Sequence, residues 1–377
     1  PDRIWLSWGD GTFQAMDELG IRNTSFYSMA IDFSDVNNDG ALDFFITEML
    51  GETHQERMRQ LVPNDPVYER RTKDRPQYNR NSFYMNRKDG TFAELSYFSG
   101  LEATSWSWAA KFLDVDLDGY EDLIVNNGFS YDMQDLDAQN RISQEVMRQA
   151  EPMRDYVLRF PRLEHVNKVY RNGGDLKFED VSRAWGIDEA DISHGMATAD
   201  FDKDGDLDIA INRLNDEARI YENRTGAGRI AVRLIGSEPN TQAIGAKIYL
   251  SSDEMRQMRE IYSGGDYLSG SDPLVVFAAP MPESDYHLTI HWPTGNRTEL
   301  ENIRANRIYE IVQDSVAVEE PSGPGREQSS NRMFTDISGR IDHRHAENEF
   351  EESRMQDLLP RQLSTLGPGV SWIDFDQ

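Results

Sequence analysis

One acidic loop pattern occurs three times in this chain of 377 residues, and it constrains the fold more than any other feature. The complete copies have the form D-x-[DN]-x-D-G-x-x-D and begin at Asp35, Asp114 and Asp200. We number them loops 1, 2 and 3 in chain order. A fourth copy begins at Asp374 and extends to Asp376. Repetition of one loop at intervals of this size is typical of proteins that stack copies of a single supersecondary unit.

The segments around the loops repeat as well. A Phe lies 22 residues before the first Asp of each complete loop, at Phe13, Phe92 and Phe178. Each loop is followed by a short apolar run and then by a run that contains a Tyr, and both kinds of run predict β-strands. These runs are Phe44–Ile46, Leu123–Val125 and Ile209–Ile211, then Phe83–Asn86, Val169–Asn172 and Ile220–Asn223. The sequence therefore predicts an all-β fold made of repeated units.

The first two repeat units carry insertions of 28 and 35 residues relative to the third. Apolar residues in the second insertion, from Ile142 to Leu158, recur at helical spacing. We therefore expect helical insertions at about 49–81 and 129–167. Insertions on a rigid scaffold carry function more often than the scaffold itself, so a specific partner is expected to dock there.

The sequence divides into four parts. The repeats occupy residues 1–228, and alternating strands without acidic loops predict a small separate β domain over 229–313. Residues 314–332 have the composition of a linker. In the last part, 333–377, Phe334 restarts the repeat pattern.

The spacing of oxygen-bearing side chains in each loop predicts a calcium site. Calcium prefers six to eight oxygen ligands, which side chains at positions 1, 3, 5 and 9 and a backbone carbonyl at position 7 can supply. The Gly at position 6 allows the sharp turn. The predicted ligands are Asp35, Asn37, Asp39, Ala41 and Asp43 in loop 1, Asp114, Asp116, Asp118, Tyr120 and Asp122 in loop 2, Asp200, Asp202, Asp204, Asp206 and Asp208 in loop 3, and Asp374 and Asp376 in the incomplete copy. We expect about three complete Ca²⁺ sites and one truncated site.

The loop pattern has two alternatives to a calcium site of this kind. An EF-hand needs a Glu at position 12 and flanking helices, whereas here position 12 is Ile46, Val125 or Ile211. Ordinary acidic turns with side-chain-to-backbone hydrogen bonds are the simpler alternative. Three copies at constant spacing favour calcium, because clustered carboxylates repel one another unless a cation compensates. Asn37 lacks the charge found at this position in the other loops, so site 1 is expected to be weaker.

Composition excludes several functions. The chain has 39 Lys and Arg against 67 Asp and Glu, a net charge of −28, so a nucleic-acid partner is not expected. The absence of Cys excludes disulfides, Cys-ligated zinc, iron–sulfur clusters and thiol nucleophiles. No apolar run approaches the ~18–20 residues of a transmembrane helix. No nucleophile elbow, phosphate-binding loop or zinc-protease motif occurs, so we expect no enzyme activity.

Two other groups of residues were considered as sites. His343, His345 and Glu347 form a dense cluster that a transition metal could use, but no third imidazole is nearby, so surface histidines are the preferred interpretation. Four tryptophans could stack on sugars, but we expect them to pack in the core. They are Trp106, Trp108, Trp185 and Trp292.

The loops resemble the FG-GAP/VCBS repeats, which are the calcium-binding blades of integrin-type β-propellers. The matching signatures are the three loops together with Asp10-Gly-Thr-Phe13 and Asp89-Gly-Thr-Phe92. The later β domain resembles the ASPIC/UnbV domain, which accompanies such repeats in the cartilage acidic protein family and in bacterial surface proteins. Its matching residues are Gly245-Ala246, Gly264–Ser269 and Trp292-Pro-Thr-Gly295. Together these resemblances cover nearly the whole chain.

The resemblance implies a partial β-propeller over 1–228, followed by a small β-sandwich-like ASPIC/UnbV domain over 229–313. Only three complete blades are present, whereas such propellers usually have seven. We therefore interpret the chain as a piece of a longer protein. Residues 333–377 either start a second propeller or return to complete the first.

The resemblance also implies export to the cell surface, the outer membrane or periplasm, or the extracellular space. We expect a non-enzymatic, calcium-binding scaffold for adhesion, ligand binding or assembly of a larger surface complex, with a protein or glycan partner. The alternative is a polysaccharide-binding or polysaccharide-degrading propeller protein of the lyase type. An exposed aromatic platform beside a basic residue in a concave face would favour that alternative. The ASPIC/UnbV-like domain is expected to be structural.

Overall fold

The computed structural model describes residues 3–7, 12–17, 19–60, 75–149, 156–313, 318–321 and 333–336. The predictions for Asp10, Gly11, His343, His345, Glu347, Asp374 and Asp376 lie outside these residues. The helices are α1 (His54–Arg59), α2 (Ser96–Ser99), α3 (Leu136–Gln149) and α4 (Ser182–Trp185).

Strands make up most of the regular structure. In chain order they are β1 (Trp5–Ser7), β2 (Phe13–Ala15), β3 (Thr24–Ser25), β4 (Ile31–Ser34), β5 (Asp43–Ile46), β6 (Met49–Leu50), β7 (Gln77–Tyr78), β8 (Ser82–Asn86), β9 (Phe92–Glu94), β10 (Ser105–Leu113), β11 (Asp122–Asn127), β12 (His165–Val166), β13 (Lys168–Asn172), β14 (Phe178–Asp180), β15 (Ala190–Asp191), β16 (Ser193–Ala199), β17 (Asp208–Arg213), β18 (Arg219–Asn223), β19 (Arg229–Ile235), β20 (Lys247–Ser251), β21 (Arg256–Glu260), β22 (Val275–Ala278), β23 (Tyr286–His291), β24 (Arg297–Ile303), β25 (Arg307–Val312), β26 (Val318–Pro321) and β27 (Phe334–Asp336).

Within the described residues, five sheets have four or five strands. Three are antiparallel blades made from the repeat units. We call them blade 1 (β4-β5-β8-β9), blade 2 (β10-β11-β13-β14, with β6 beside β10) and blade 3 (β16-β17-β18-β27). The chain is thus mostly β, as the repeats predict.

The repeated Phe marks the last strand of each blade rather than the first strand of the next. It pairs with the Asn that ends the preceding strand, and this register is the same in every blade. The pairs are Asn86 with Phe92, Asn172 with Phe178 and Asn223 with Phe334. The β1–β2 hairpin has the matching register, with Ser7 opposite Phe13.

The other two large sheets pack face to face as a β-sandwich, with the orders β22-β19-β25-β26 and β21-β20-β23-β24. Apolar residues from both inner faces, such as Val232, Ile248, Phe277 and Leu288, form its buried core. We call this unit, β19 to β26, the sandwich.

The sandwich is inserted into blade 3. It follows β18 directly in the chain, and β27 returns after it to pair antiparallel with β18. Phe334 is 2% exposed and its ring lies 6.2 Å from that of Tyr221. The pairing places Phe334–Asp336 in the first array of blades and not in a second one.

Helices lie in both insertions, and the insertions contact each other. Gln60, at the end of α1, forms a β-bridge with Asp135 just before α3. Ala138 and Ile142 of α3 pack with Phe160 in a small buried cluster. The α1 helix begins with a capping box between Thr53 and Glu56, which satisfies two exposed N–H groups of its first turn.

The four tryptophans considered as sugar-stacking residues are buried, which confirms the prediction of core packing. Their exposed fractions are 9% for Trp106, 7% for Trp108, 7% for Trp185 and 3% for Trp292. Among the described residues, no helix is long and apolar enough to cross a membrane.

Replacing Phe334 by Ala should destabilise the protein by about 3–5 kcal/mol, because it empties the buried position where β27 closes blade 3. Chemical denaturation followed by intrinsic fluorescence measures this effect. Phe98→Ala is the control, since Phe98 is 55% exposed and its truncation should cost little. Equal losses in the two variants would show that β27 does not contribute a buried strand to the blade.

Candidate metal sites

Each acidic loop connects the first two strands of a blade, and position 9 is the first residue of the second strand. These position-9 residues are Asp43, Asp122 and Asp208. The loops therefore occupy equivalent places at one end of the three blades. The Gly at position 6 has a positive φ in each loop, for example +100° at Gly119, which other residues adopt only with strain.

Backbone N–H groups fix the carboxylates at positions 1 and 9. In loop 2, Asp114 accepts hydrogen bonds from the N–H groups of Asp118 and Gly119 at 3.1 and 2.9 Å. Asp122 accepts from Val115 N–H and Asn172 N–H, both at 2.9 Å. The same bonds recur in loops 1 and 3. The loops thus contain the hydrogen bonds of acidic turns and, in addition, hold two carboxylates in place.

The Asn that follows each repeated Tyr by two residues was missed as a site residue. Its backbone N–H fixes the position-9 Asp. In blades 2 and 3 its side chain also reaches the preceding blade, whereas Asn86 Nδ2 donates to the Leu42 carbonyl oxygen of its own loop. Asn172 Nδ2 donates to the Val36 carbonyl oxygen at 3.1 Å, and Asn223 Nδ2 donates to that of Val115 at 3.0 Å. The repeated Tyr-x-Asn sequence was the signal that could have identified this role.

Loops 2 and 3 each bring three carboxylates together. Oxygen atoms of Asp114, Asp116 and Asp122 lie within 4.8 Å of one another, and those of Asp200, Asp202 and Asp208 do so in loop 3. No other group of three acidic or His side chains converges in this way among the described residues. In loop 1, position 3 is Asn37, an amide.

These oxygens fit a cation. Asp116 Oδ1 is buried and accepts no hydrogen bond from the described residues, so burying it has a cost that a bound cation would offset. Asp206 was predicted to contribute its carbonyl oxygen, yet its side chain is also 1% exposed with neither carboxylate oxygen hydrogen-bonded within the described part of the chain. The donor set is all oxygen, which suits a hard ion such as Ca²⁺ or Mg²⁺ rather than zinc.

Burial raises the pKa of several of these carboxyl groups when no cation is present. The pKa of Asp208 rises to about 8 and that of Asp200 to about 6, chiefly through loss of solvation. Burial also raises the pKa values of Asp114 and Asp122 well above their usual range, and neighbouring carboxylates add to this effect. A bound divalent ion acts in the opposite direction, because it favours the ionised form.

Position 5 of each loop contacts a basic side chain. Lys88 Nζ lies 3.2 Å from an Asp39 oxygen, and Arg171 contacts Asp118 while its Nε lies 2.5 Å from Asp116 Oδ2. In loop 3, Arg229 is the basic partner. These contacts compensate part of the negative charge around each group of carboxylates.

Comparison with known families agrees with this geometry. Residues 153–211, which include all of loop 3, match the FG-GAP-like repeat, and residues 236–318 match the family described as ASPIC and UnbV. No curated protein matches the chain.

The chain is a mostly β, propeller-type protein that contains an FG-GAP-like repeat and an ASPIC/UnbV domain. The sandwich coincides with most of the ASPIC/UnbV match. FG-GAP repeats are typical of extracellular and cell-surface proteins, so the chain is a propeller scaffold of that general type.

Proposed function

We propose that this protein is a non-enzymatic, calcium-binding scaffold that works at the cell surface or outside the cell. The observation that carries the proposal is the convergence of three carboxylates in each of two loops, built by the same hydrogen bonds at the same positions. Two independent blades use the same construction, which supports a shared ligand over a chance grouping of acidic turns.

Calcium fits these loops better than magnesium. Magnesium keeps several waters and is usually held by one or two carboxylates, whereas these loops offer three carboxylates each together with a carbonyl oxygen at position 7. Of the predicted ligands, we assign Asp114, Asp116, Asp122 and the Tyr120 carbonyl to site 2. Loop 3 supplies the equivalent ligands for site 3.

Calcium titration of the full chain by calorimetry tests the proposal. We expect binding at two to three sites, and Asp116→Asn should weaken one of them about tenfold, because affinity depends on the number of charged ligands. Asp116→Asn gives loop 2 the same side chain at position 3 that Asn37 gives loop 1. Asp89→Asn is the control, since Asp89 is exposed and caps a turn at Thr91. Absence of calcium heat, or equal binding of magnesium, would contradict the proposal.

The partner is proposed to be a protein or glycan that docks on the two helical insertions. These insertions rest on the rigid blades and form a joint unit through Gln60 and Asp135. Loops supported by a rigid scaffold are the usual place for recognition. This arrangement supports a role in adhesion or in assembly of a surface complex.

One observation bears on the polysaccharide-binding alternative. Arg80 lies over the rings of Tyr78 and Tyr97, at 4.5 and 4.9 Å, and both rings are exposed. This is an aromatic platform beside a basic residue. Arg80 already pairs with Glu94 at 2.6 Å, so its charge is compensated. We therefore keep the scaffold as the proposed function.

A further inference from the structure

We propose that calcium in loops 2 and 3 holds the sandwich against the blades, so that occupancy of these two sites controls the docking of the inserted domain. This inference rests on the calcium binding proposed above. It is based on the contacts that loops 2 and 3 make with the sandwich.

The first contact joins the sandwich to loop 3. Arg229 is the first residue of β19, and its side chain is 3% exposed. Its Nε donates a hydrogen bond to the Asp204 carbonyl oxygen at 2.9 Å, and its Nη2 lies 2.9 Å from Asp204 Oδ2. Asp204 is position 5 of the loop, so the guanidinium contacts both the main chain and the carboxylate of a residue that lies between the proposed ligands of site 3.

The second contact joins the sandwich to loop 2. Glu121, at position 8, is 4% exposed and pairs with Nε of Arg259 on β21. The Arg259 Nη1 donates to the Met258 carbonyl oxygen at 3.0 Å, which orients the guanidinium toward the loop. A buried pair of this kind is strongly destabilised when one partner moves away, because the other charge is left uncompensated.

Apolar residues of the same loops pack against the sandwich. Val115 and Leu117 of loop 2 are buried, and so is Leu207 of loop 3. They share one hydrophobic cluster with three residues of the sandwich, Ala231, Val276 and Ala278. A change in loop conformation would therefore expose apolar surface on both sides.

Packing at position 6 is tight in loop 2 but not in loop 1. A Cβ added at Gly119 would lie 3.1 Å from Met255 Cε of the sandwich. A Cβ added at Gly40 would meet no described atom within 4 Å. Asp39 of loop 1 contacts Lys88 of its own blade. Loop 1 thus provides an internal comparison, since it has the same construction but its positions 5 and 6 do not contact the sandwich.

The rest of the interface is partly open. A cleft of about 1320 Å³ separates the sandwich from the blades. Its walls come from both sides, with Phe33, Lys111 and Thr198 from the blades and Arg233, Tyr262 and Pro273 from the sandwich. Bonds also cross the interface beside the cleft, since Tyr262 Oη donates to the Phe33 carbonyl oxygen at 2.6 Å and Lys111 Nζ lies 3.1 Å from Asp266 Oδ2. The contacts through loops 2 and 3 add to these bonds, and they are the ones that lie next to the proposed calcium sites.

Bound calcium would fix the loop geometry on which these contacts depend. Without it, three carboxylates in each loop repel one another, and the loop relaxes away from the geometry that Arg229 and Arg259 recognise. With it, the loop is fixed and the buried contacts form. Docking of the sandwich should therefore depend more on calcium at sites 2 and 3 than on calcium at site 1.

Hydrogen exchange of the full chain, with calcium and after chelation, tests this inference. We expect chelation to speed exchange about tenfold or more in β21 and in loops 2 and 3, because local opening removes their protection. The β24 strand is at the opposite edge of the same sheet and should be unchanged. Calorimetry on the same samples reports calcium binding separately.

Two variants sharpen the test. Glu121→Gln removes the charge that pairs with Arg259 without removing a predicted ligand, so β21 should exchange faster in saturating calcium while the calcium affinity stays nearly the same. Its control is Glu179→Gln, an exposed position on β14. Asp43→Asn in loop 1 should weaken calcium binding there and leave exchange in β21 nearly unaltered.

The outcomes separate the two proposals. Calcium binding without any change of exchange in β21 would overturn the interdomain role and leave the calcium scaffold intact. Equal exchange in β21 for Glu121→Gln and the wild-type chain would also overturn it. Failure to bind calcium at all would overturn the scaffold proposal, and the interdomain role with it.

Discussion

Chelation of calcium is expected to lower the midpoint of thermal unfolding by about 10–20 °C. A site occupied at about a thousand times its dissociation constant stabilises the folded state by about 4 kcal/mol, so sites 2 and 3 together contribute about 8 kcal/mol. For a chain of this length, each kcal/mol corresponds to about 2 °C or somewhat less. The absence of Cys leaves no disulfide to compensate for the loss.

Scanning calorimetry in calcium, in EDTA and after calcium is added back measures this effect. Magnesium added to the EDTA-treated protein is the control ion, and it should restore little of the lost stability. A double variant, Asp116→Asn with Asp202→Asn, should show a low midpoint even in calcium. An unchanged midpoint after chelation would mean that the loops are turns stabilised by their own hydrogen bonds.

The second large effect is on pH dependence. Burial raises the pKa of Asp208 to about 8, that of Asp43 to about 7 and that of Asp200 to about 6 in the calcium-free protein. Each folded pKa lies above the value near 3.8 of the unfolded chain. Such a group favours folding at low pH, and this contribution is lost as pH rises through the folded pKa. The calcium-free protein should therefore lose stability between about pH 4 and pH 8.

Calcium should reverse this trend, since it binds the ionised carboxylates and competes with protons. We expect the rise in unfolding midpoint caused by calcium to be about twice as large at pH 8 as at pH 5. Thermal scans at both pH values, with and without calcium, give the comparison directly. A calcium effect that is equal at both values would argue against the carboxylates of these loops as the ligands.

The convergence of carboxylates in loops 2 and 3 could be predicted from the sequence because the residues involved are local. Positions 1, 3, 5 and 9 fall within nine residues, and the turn geometry that joins them is set by Asp and Gly preferences. The three carboxylates that converge in loop 2 and the three that converge in loop 3 were all among the predicted residues. The Asn side chains that tie one blade to the next were missed, because those contacts join Asn172 to Val36 across 136 residues.

The insertion of the sandwich into blade 3 could not be predicted from local sequence patterns. The repeat pattern at Phe334 left two placements open, in a second propeller or in the first, and the register of β27 makes it the last strand of blade 3. Arg229 and Arg259 carry no motif in the sequence, and only the tertiary contacts show that they face Asp204 and Glu121. Long-range pairing of this kind leaves no periodic signal along the chain.

The insertion of the sandwich into blade 3 also sets an order for folding during synthesis. Asn223 pairs with Phe334, which lies about 110 residues later in the chain. Synthesis of the intervening residues takes roughly 5–20 s at ordinary rates of translation. During that time the outer edge of β18 lacks its partner strand, while the sandwich can form from its own contacts. Once formed, the sandwich places β19 and β26 in one sheet and brings the two ends of the insertion near each other. The folded sandwich thereby lowers the entropic cost of bringing β27 to β18, and blade 3 is completed after the sandwich has formed.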